Sequence, residues 1–157
     1  MTGTNAEICR FIRTAKADDL PRIAEILIFN YRLNFYPIFK SDWFYFQHLQ
    51  VPNLIKQYEQ HKDTLTNTFV YDDGVVKGFI QLNGAEVEKL FVEPVLQKQG
   101  IGAKLLNFAI AERDVRFLWA LEKNTRAIAF YQRHGFCVTA EKKYEEDTTE
   151  YLVRLER

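Results

Sequence analysis

The fold of this chain is decided by the stretch Leu90-Phe91-Val92-Glu93-Pro94-Val95-Leu96-Gln97-Lys98-Gln99-Gly100-Ile101-Gly102-Ala103-Lys104-Leu105-Leu106. An apolar strand runs into a proline, and a short polar segment with Gly-x-Gly then leads into an amphipathic helix. This order places free backbone N–H groups and the positive end of a helix beside the end of a strand, which is a favourable place to bind phosphate. The glycines carry no Cβ, so a ligand can approach the main chain.

Composition and charge predict one ordinary globular domain. The chain has 157 residues, of which 47% are apolar and 27% are charged, so a single domain over residues 1–157 has enough apolar surface for a core. Lys plus Arg and Asp plus Glu both number 21, which gives zero formal net charge. We therefore expect no binding to nucleic acid or to anionic membranes, and no apolar run approaches membrane-spanning length.

The N-terminus and the cysteines predict a cytoplasmic protein. Residues 1–7 lack the charged and apolar regions of a signal peptide. Cys9 and Cys137 have neither metal-ligand nor redox spacing, so we expect two buried, reduced thiols. The three histidines do not form a metal-ligand set, and no metal is predicted.

The N-terminal part of the chain predicts a strand followed by helices. Residues 8–13 alternate like an edge strand, and Asp18 and Pro21 are typical of a helix N-cap and first turn. Nine of the eighteen residues from 29 to 46 are aromatic, and Pro37 predicts that this segment is helix, turn, helix. The aromatic residues favour either core packing or the wall of a ligand pocket. A further exposed helix is expected at residues 52–61.

The second half of the chain predicts an α/β (α+β) fold. An antiparallel meander is followed by a strand–helix–strand crossover and a terminal hairpin, with strands at 69–71, 75–82, 85–92, 115–121, 136–144 and 149–155 and helices at 100–113 and 125–134. The crossover should be right-handed and place its strands parallel. A ligand would then lie beyond the carboxyl ends of those strands.

The Gly-x-Gly motif alone is weak evidence for a nucleotide site. Gly-Lys-Ser/Thr is absent, so this is not a Walker loop. Leu105 occupies the third glycine position of a dinucleotide fingerprint, and no ribose-binding acid follows at the usual distance. A purely structural turn therefore remains open for the glycines taken alone.

Two blocks together are more specific. The first is Val92-x-Pro94 with Gln97-x-x-Gly100-x-Gly102, and the second is Asn124-x-x-Ala127-x-x-Phe130-Tyr131-x-x-x-Gly135-Phe136. In this order and at about this distance, they resemble the acyl-CoA pyrophosphate loop and the second conserved block of the Gcn5-related N-acetyltransferase (GNAT) superfamily. The resemblance covers residues 69–144, and Gln97 stands where that family more often has Arg.

The resemblance implies a mixed, mostly antiparallel central sheet with helices on both faces. The parallel strands 86–92 and 116–121 would splay apart and hold acetyl-CoA, a co-substrate, in the gap between them. Main-chain groups of Phe91 and Val92 would pair with the pantetheine arm. The pyrophosphate would bind backbone N–H groups of Gln97, Lys98, Gln99, Gly100, Ile101, Gly102 and Ala103.

The resemblance also implies roles for two side chains of the second block. Asn124 would contact the cofactor, although a plain N-cap is an open alternative. Tyr131 would lie near the thioester sulfur and donate a proton or hydrogen bond to the departing thiolate. The alternative for Tyr131 is a half-buried tyrosine that only packs on the sheet.

Catalysis by direct transfer requires a base, because a lysine-like amine has a pKa of about 10.4 and freeing it at pH 7 costs roughly 4–5 kcal/mol. Glu88 is the candidate base, since alternation places it on the face of Leu90 near the expected splay. Two alternatives remain open: Glu88 is an exposed glutamate without a catalytic role, or an ordered water acts as the base. Glu86 would lie farther from the splay. The Val92 N–H would stabilise the oxyanion.

The acceptor is expected to be a primary amine of a small molecule or a peptide. Tyr31, Tyr36 and Trp43 would border its pocket, and the acidic turn 145–147 either attracts a cationic acceptor or is only a solvated hairpin tip. A non-catalytic acyl-CoA-binding regulatory module is the main alternative function. The sequence predicts a monomer or a homodimer.

Overall fold

The computed structural model of the protein describes residues 10–157, and these form one seven-stranded sheet. In spatial order the strands are β1, β2, β3, β4, β5, β7 and β6. Their bounds are β1 Ile12–Thr14, β2 Thr68–Asp72, β3 Val76–Asn83, β4 Glu86–Val92, β5 Phe117–Leu121, β6 Cys137–Tyr144 and β7 Tyr151–Glu156.

Helices cover both faces of this sheet. They are α1 Leu20–Asn34, α2 Tyr36–Phe39, α3 Val51–Gln60, α4 Lys62–Thr66, α5 Ile101–Arg113 and α6 Thr125–Arg133. Short 3₁₀ turns at Ala17–Asp19 and Pro94–Leu96 and a π-helical turn at Phe44–His48 complete the connections. The predicted α+β architecture is confirmed, and so are the meander, the terminal hairpin and the helices at 100–113 and 125–134.

The pairing of β4 with β5 is parallel, and the other strand pairs are antiparallel. Two register pairs join β4 to β5, Glu86 with Phe117 and Val87 with Leu118. From Glu88 and Trp119 onward the two strands diverge. The predicted splay is thus confirmed, and it begins near the N-terminal end of β4.

Two apolar layers enclose the sheet. One face packs against α1, α3 and the π-helical turn, with Ile23, Ile26 and Phe79 fully buried. The other face packs against α5, where Leu105 and Leu106 are fully buried. Apolar residues that recur at helical spacing on α1 and α5 supply both layers. Helices therefore pack on both faces of the sheet, and this packing fixes the diverging ends of β4 and β5.

Two local predictions need correction. Helix α1 ends at Asn34, before the predicted break, and Pro37 lies in the first turn of the separate helix α2. Cys137 is exposed rather than buried, because β6 is an edge strand with most of its residues in solvent. Cys9 and residues 8–9 of the predicted first strand lie outside the described residues.

The start of the first helical region is held by Asp19 rather than by the predicted Asp18. The Asp19 carboxylate accepts the Lys16 N–H at 2.8 Å and pairs with the Arg13 guanidinium at 2.7 Å. Arg13 also pairs with Asp72 at 3.0 Å. One buried carboxylate therefore joins the edge strand β1 to the helical layer, whereas Asp18 is exposed.

We expect Asp19→Asn to lower the free energy of unfolding by about 1–3 kcal/mol at neutral pH, because hydrogen bonds to Arg13 are charge-assisted. The Arg13 hydrogen bond holds the pKa of Asp19 below its usual value. This stabilisation is therefore present above the unfolded pKa of about 3.9 and is lost as pH falls through the folded pKa. Urea unfolding across pH 3–7 measures it; Asp18→Asn is the control, and an equal loss in both variants would contradict the assignment.

Candidate active site

A cavity of about 700 Å³ opens where β4 and β5 separate. Its walls come from both layers of the fold: Tyr31 of α1 lies on one side of the sheet, and Tyr131 of α6 lies on the other. Residues 87–91 of β4 and 119–121 of β5 line it between these layers. The cavity therefore passes through the sheet, so a ligand bound on one face can meet a ligand bound on the other.

A β-bulge shapes the wall of this cavity at Glu88. Gln81 pairs with Lys89 and the next residue, Leu82, pairs with Val87, so Glu88 is the extra residue of β4. A bulge interrupts the alternation of side chains, and the prediction that Glu88 shares the face of Leu90 fails for this reason. Leu90 packs with the α5 layer, whereas the Glu88 carboxylate lines the cavity from a different direction.

The Glu88 carboxylate is held by a short polar chain. Gln81 Nε2 donates to Glu88 at 2.7 Å, and Gln81 Oε1 accepts the Tyr58 hydroxyl of α3 at 2.6 Å. Gln81 is 4% exposed, so the amide orients Glu88 from inside the fold. Glu88 itself is exposed to the cavity, where a carboxylate can accept a proton from a bound group.

Strand pairing decides which main-chain groups of β4 face the gap. The Glu93 N–H donates to the Lys77 carbonyl at 2.8 Å, and hydrogen-bonded pairs alternate along an antiparallel ladder. The main-chain groups of Phe91, opposite Phe79, therefore point to β3 and are not free for a ligand, contrary to the prediction. Those of Leu90 and Val92 point toward the gap instead.

The Val92 carbonyl is fixed by two amide side chains. Asn30 of α1 donates to it at 2.9 Å and to the Ile26 carbonyl at 2.8 Å. Gln97 donates to the same Val92 oxygen at 3.2 Å and to Asn30 Oδ1 at 3.1 Å. Asn30 is 1% exposed. This network joins α1 to the end of β4 and to the start of the glycine-containing loop.

We expect Asn30→Ala to lower the free energy of unfolding by about 1–3 kcal/mol, because two buried carbonyls lose a partner. The variant should also weaken the binding of CoA, since Gln97 loses the group that holds the loop. Urea unfolding and titration calorimetry measure the two effects. Asn53→Ala is the control, because its amide contacts the His48 carbonyl on the exposed surface. Unchanged CoA affinity would show that the network has no influence on the loop.

The loop before α5 presents backbone N–H groups at a helix N-terminus. Lys98 and Gly100 have φ values of 67° and 82°, and left-handed residues in a loop turn successive amides toward a common point. No side chain caps α5 at Gly100, so the first N–H groups of the helix lack an intrahelical partner. The predicted loop residues 97–103 therefore lie together at one concave end of the helix, and an anion suits this place.

The second block of the motif lies on the opposite wall of the gap. Asn124 accepts the Ala127 N–H at 3.3 Å and caps α6, while its side chain also lines the cavity. The geometry is thus compatible with Asn124 as a cofactor contact and with Asn124 as a plain N-cap. The Tyr131 hydroxyl has no hydrogen-bond partner among residues 10–157, and burial raises the pKa of Tyr131. A tyrosine in this state keeps its proton at neutral pH and offers it as a hydrogen-bond donor.

The aromatic segment contributes to both the core and the cavity wall. Tyr31 and Trp43 line the cavity, and Tyr45 is buried in the core but also reaches the wall. Tyr36 is not among the lining residues, and its hydroxyl donates to Asp42 instead. Burial raises the pKa of Tyr45 to about 12. The part of the wall formed by this segment is therefore aromatic and well suited to an aliphatic chain.

The hairpin between β6 and β7 adds acidic residues to the lining of the cavity. Glu145, Glu146, Asp147 and Thr148 all line it, so the acidic turn is not merely a solvated tip. His48 lies in an adjoining chamber of about 240 Å³, stacked on Trp43. Within residues 10–157, no group of three metal-ligating side chains comes together, and none of the helices is long and apolar enough to cross a bilayer.

Comparison with known proteins points to a family for the central part of the chain. Residues 65–138, just under half of the chain, match the model of the acetyltransferase (GNAT) domain. The peptidyl-lysine N-acetyltransferase YjaB of Salmonella typhimurium is 32% identical over 77 residues, which make up 49% of this chain and 53% of that protein. The chain thus spans about half the length of the curated relatives it matches.

Solved structures share the fold of this protein. A ribosomal-protein-alanine N-acetyltransferase from Brucella melitensis superimposes with a TM-score of 0.70 at 20% identity, covering 93% of this chain and 98% of the other. The PaiA N-acetyltransferase of Thermoplasma acidophilum, solved with coenzyme A, gives 0.67 at 17% identity, with coverage of 93% and 98%. The predicted GNAT fold is confirmed, and the match of residues 65–138 to the GNAT domain agrees with the predicted family.

Sequence reasoning missed several groups around this site. The main chain of Leu90 was missed because the sequence of β4 alone does not show which of its residues form hydrogen-bonded pairs with β3. Asn30 and Gln81 were missed because their partners are 62 and 7 residues away along the chain. The GNAT motifs indicate where a ligand binds, whereas these polar supports become visible only when the layers are assembled.

Proposed function

We propose that the protein transfers an acetyl group directly from acetyl-CoA to a primary amine, with a lysine side chain of a peptide or protein as the first candidate acceptor. The observation that carries this proposal is the cavity through the sheet at the gap between β4 and β5. It joins the wall formed by Asn124 and Tyr131 on one face to an aromatic and acidic chamber on the other face. Such a passage allows donor and acceptor to meet without a covalent enzyme intermediate.

The residues at the gap fit an acyl-CoA donor. The N–H groups of residues 97–103 suit the diphosphate, because helix N-termini bind phosphate. The main-chain groups of Leu90 suit the pantetheine amides, which would extend β4 like an added strand. Asn124 and Tyr131 would contact the donor from the other wall. PaiA was solved with coenzyme A, which is compatible with this donor for a protein of the same fold.

The proposed transfer uses three groups of this chain. The Glu88 carboxylate accepts a proton from the acceptor ammonium, directly or through one water. The neutral amine then attacks the thioester carbon, and the Val92 N–H stabilises the oxyanion. When the C–S bond breaks, Tyr131 donates a hydrogen bond or a proton to the thiolate. The products are an amide and CoA.

The acceptor chamber supports a cationic amine on an aliphatic stem. Aromatic rings line its wall, and the carboxylates of Glu145, Glu146 and Asp147 lie at its mouth. Opposite charge at the mouth favours the encounter with a lysine in a basic peptide. The name of the YjaB relative, a peptidyl-lysine N-acetyltransferase, supports the same acceptor class.

A non-catalytic acyl-CoA-binding regulatory module is the alternative. It would bind the donor through the same loop but transfer nothing. The monomeric or homodimeric state, the cytoplasmic location and the absence of a metal from the reaction remain predictions from the sequence.

A thiol-release assay with acetyl-CoA and a panel of lysine peptides tests the proposed function. We expect CoA release that depends on the peptide, with peptides rich in Lys and Arg preferred over acidic peptides of the same length. Mass spectrometry of the peptide should find acetyl on the lysine Nζ. CoA binding without turnover on any amine would favour the regulatory module, and no CoA binding would refute both functions.

We expect Glu88→Gln to lower kcat/KM roughly 10²-fold near neutral pH, because the acceptor loses its base. The loss should shrink as pH rises, since a larger fraction of the amine is then already neutral. A pH–rate profile of both proteins measures this. Glu86→Gln is the matched control, because Glu86 lies two residues away in β4 but does not line the cavity. An unaltered profile would remove Glu88 as the base.

A further inference from the structure

Lys89 occupies a special position beside the proposed acceptor chamber. Its side chain lines the cavity through the sheet and also the adjoining chamber of about 240 Å³. That chamber is formed by Leu27 of α1, Leu54 of α3 and the π-helical turn with Phe44. Lys89 therefore points to the α1 and α3 layer, on the side of the sheet where we place the acceptor, and not to the α5 layer of the diphosphate loop.

The Lys89 amine has no fixed counter-charge. None of the carboxylates in residues 10–157 lies within 4.0 Å of its Nζ. The groups around the adjoining chamber are aromatic, aliphatic or neutral amides, together with His48. Burial lowers the pKa of Lys89, and the neighbouring Glu88 only partly opposes this. A desolvated amine without a partner loses its proton readily and is then a nucleophile.

Lys89 is also the single lysine among the described residues that line the main cavity. It precedes Leu90 in β4, with consecutive Cα atoms about 3.8 Å apart, and the main chain of Leu90 faces the gap. The strand that would hold the pantetheine arm thus carries an amine directly beside it. A protein or peptide acceptor would have to bring its own lysine into the same chamber.

We propose that Lys89 is a self-acetylation site, at which the protein acetylates its own Lys89 Nζ from acetyl-CoA. The neutral amine attacks the thioester carbon, an N–C bond forms and the C–S bond breaks. The departing sulfur takes the electron pair and a proton, so one amide and one CoA result. This inference depends on the proposed function, because acetyl-CoA must bind in the gap.

Acetylation of Lys89 would change the acceptor chamber. The acetylated side chain is neutral, larger and no longer nucleophilic. It would occupy the space between the cavity through the sheet and the adjoining chamber. Each chain can undergo this step once, so it would appear as a single event separate from repeated turnover. We expect the acetylated protein to show a higher KM for peptide acceptors, because the added group narrows the chamber.

The test incubates the full-length protein with deuterium-labelled acetyl-CoA and no acceptor. We expect intact-mass spectrometry to find one labelled acetyl group per chain, peptide mapping to place it on Lys89, and its rate constant to be independent of protein concentration. Lys89→Arg should lose this first label, while Lys77→Arg should keep it, because Lys77 pairs with Asp73 on the surface side of β3. Urea-unfolded protein should show no preference for Lys89.

The outcomes separate this inference from the proposed function. Peptide turnover without label on Lys89 would overturn self-acetylation and leave the acetyltransferase proposal intact. Label spread over surface lysines, or a rate constant proportional to protein concentration, would also overturn it. A protein that binds no CoA in calorimetry would overturn both.

Discussion

Tyr131→Phe is expected to lower kcat roughly 10²-fold, because the departing thiolate loses its proton or hydrogen-bond donor. The ring stays in place, so the packing of α6 on the sheet and the affinity for CoA should be preserved. The hydroxyl has no protein partner among residues 10–157, and burial raises its pKa, so the proton is held for a ligand. Single-turnover kinetics measure the transfer step, and calorimetry measures CoA binding.

The control for Tyr131 is another tyrosine whose hydroxyl serves no ligand. Tyr151 is exposed on β7, and its hydroxyl contacts that of Tyr144 at 3.0 Å. Tyr151→Phe should therefore retain full kcat. If Tyr131→Phe kept the wild-type kcat, Tyr131 would be only a packing residue; an equal decrease in kcat and in CoA affinity would indicate a role in donor binding.

Gly102→Asp is expected to weaken acetyl-CoA binding by about 2–3 kcal/mol, which is roughly 30- to 150-fold, because a negative charge is placed beside the diphosphate. The fold should accept this change. A Cβ at Gly102 would meet Phe130 Cζ and Val92 Cγ2 at 3.7 Å, an ordinary contact distance. An acidic residue in the first turn of α5 also interacts favourably with the helix dipole, so the free energy of unfolding should stay equal or rise.

Because stability and affinity should change in opposite directions, the test separates weaker acetyl-CoA binding from a damaged fold. Gly102→Asn carries a side chain of the same size without charge, and it should lose much less affinity. Acetylpantetheine lacks the diphosphate, so its binding should be nearly equal in the Asp and Asn variants. Calorimetry at two salt concentrations measures the difference, which should shrink at high salt. Equal losses in both variants, or a loss shared by acetylpantetheine, would place the diphosphate elsewhere.

The sequence predicted the fold best where local signals agree. The turns at Asp73-Gly74 and Asn83-Gly84 lie between alternating apolar runs, and both hairpins are present. Gly135 ends α6 with a φ of 90°, as its position predicted. The N-terminal third was predicted less well, because its aromatic residues are apolar on every face of the segment and carry no clear period.

The candidate site divides in the same way. The loop 97–103, Asn124 and Tyr131 are predicted by motif alone, since backbone amides and capping groups depend on local spacing. The placement of Glu88 failed, because a bulge is set by two strands together and one strand cannot reveal it. Tyr36 was grouped with the pocket by composition, yet its hydroxyl contacts Asp42.

By itself, the sequence determined the order of elements, the glycine-containing loop before α5 and the two blocks that resemble the GNAT family, because turns, caps and glycine-containing loops depend on residues that are neighbours along the chain. Only the tertiary structure decided the passage through the sheet, the direction of Glu88 and Lys89, and the support of Val92 by Asn30. These features depend on which residues of neighbouring strands form hydrogen-bonded pairs and on how the layers pack. In both cases, the groups that contact each other can be tens of residues apart along the chain. Local patterns carry no information on such distant partners.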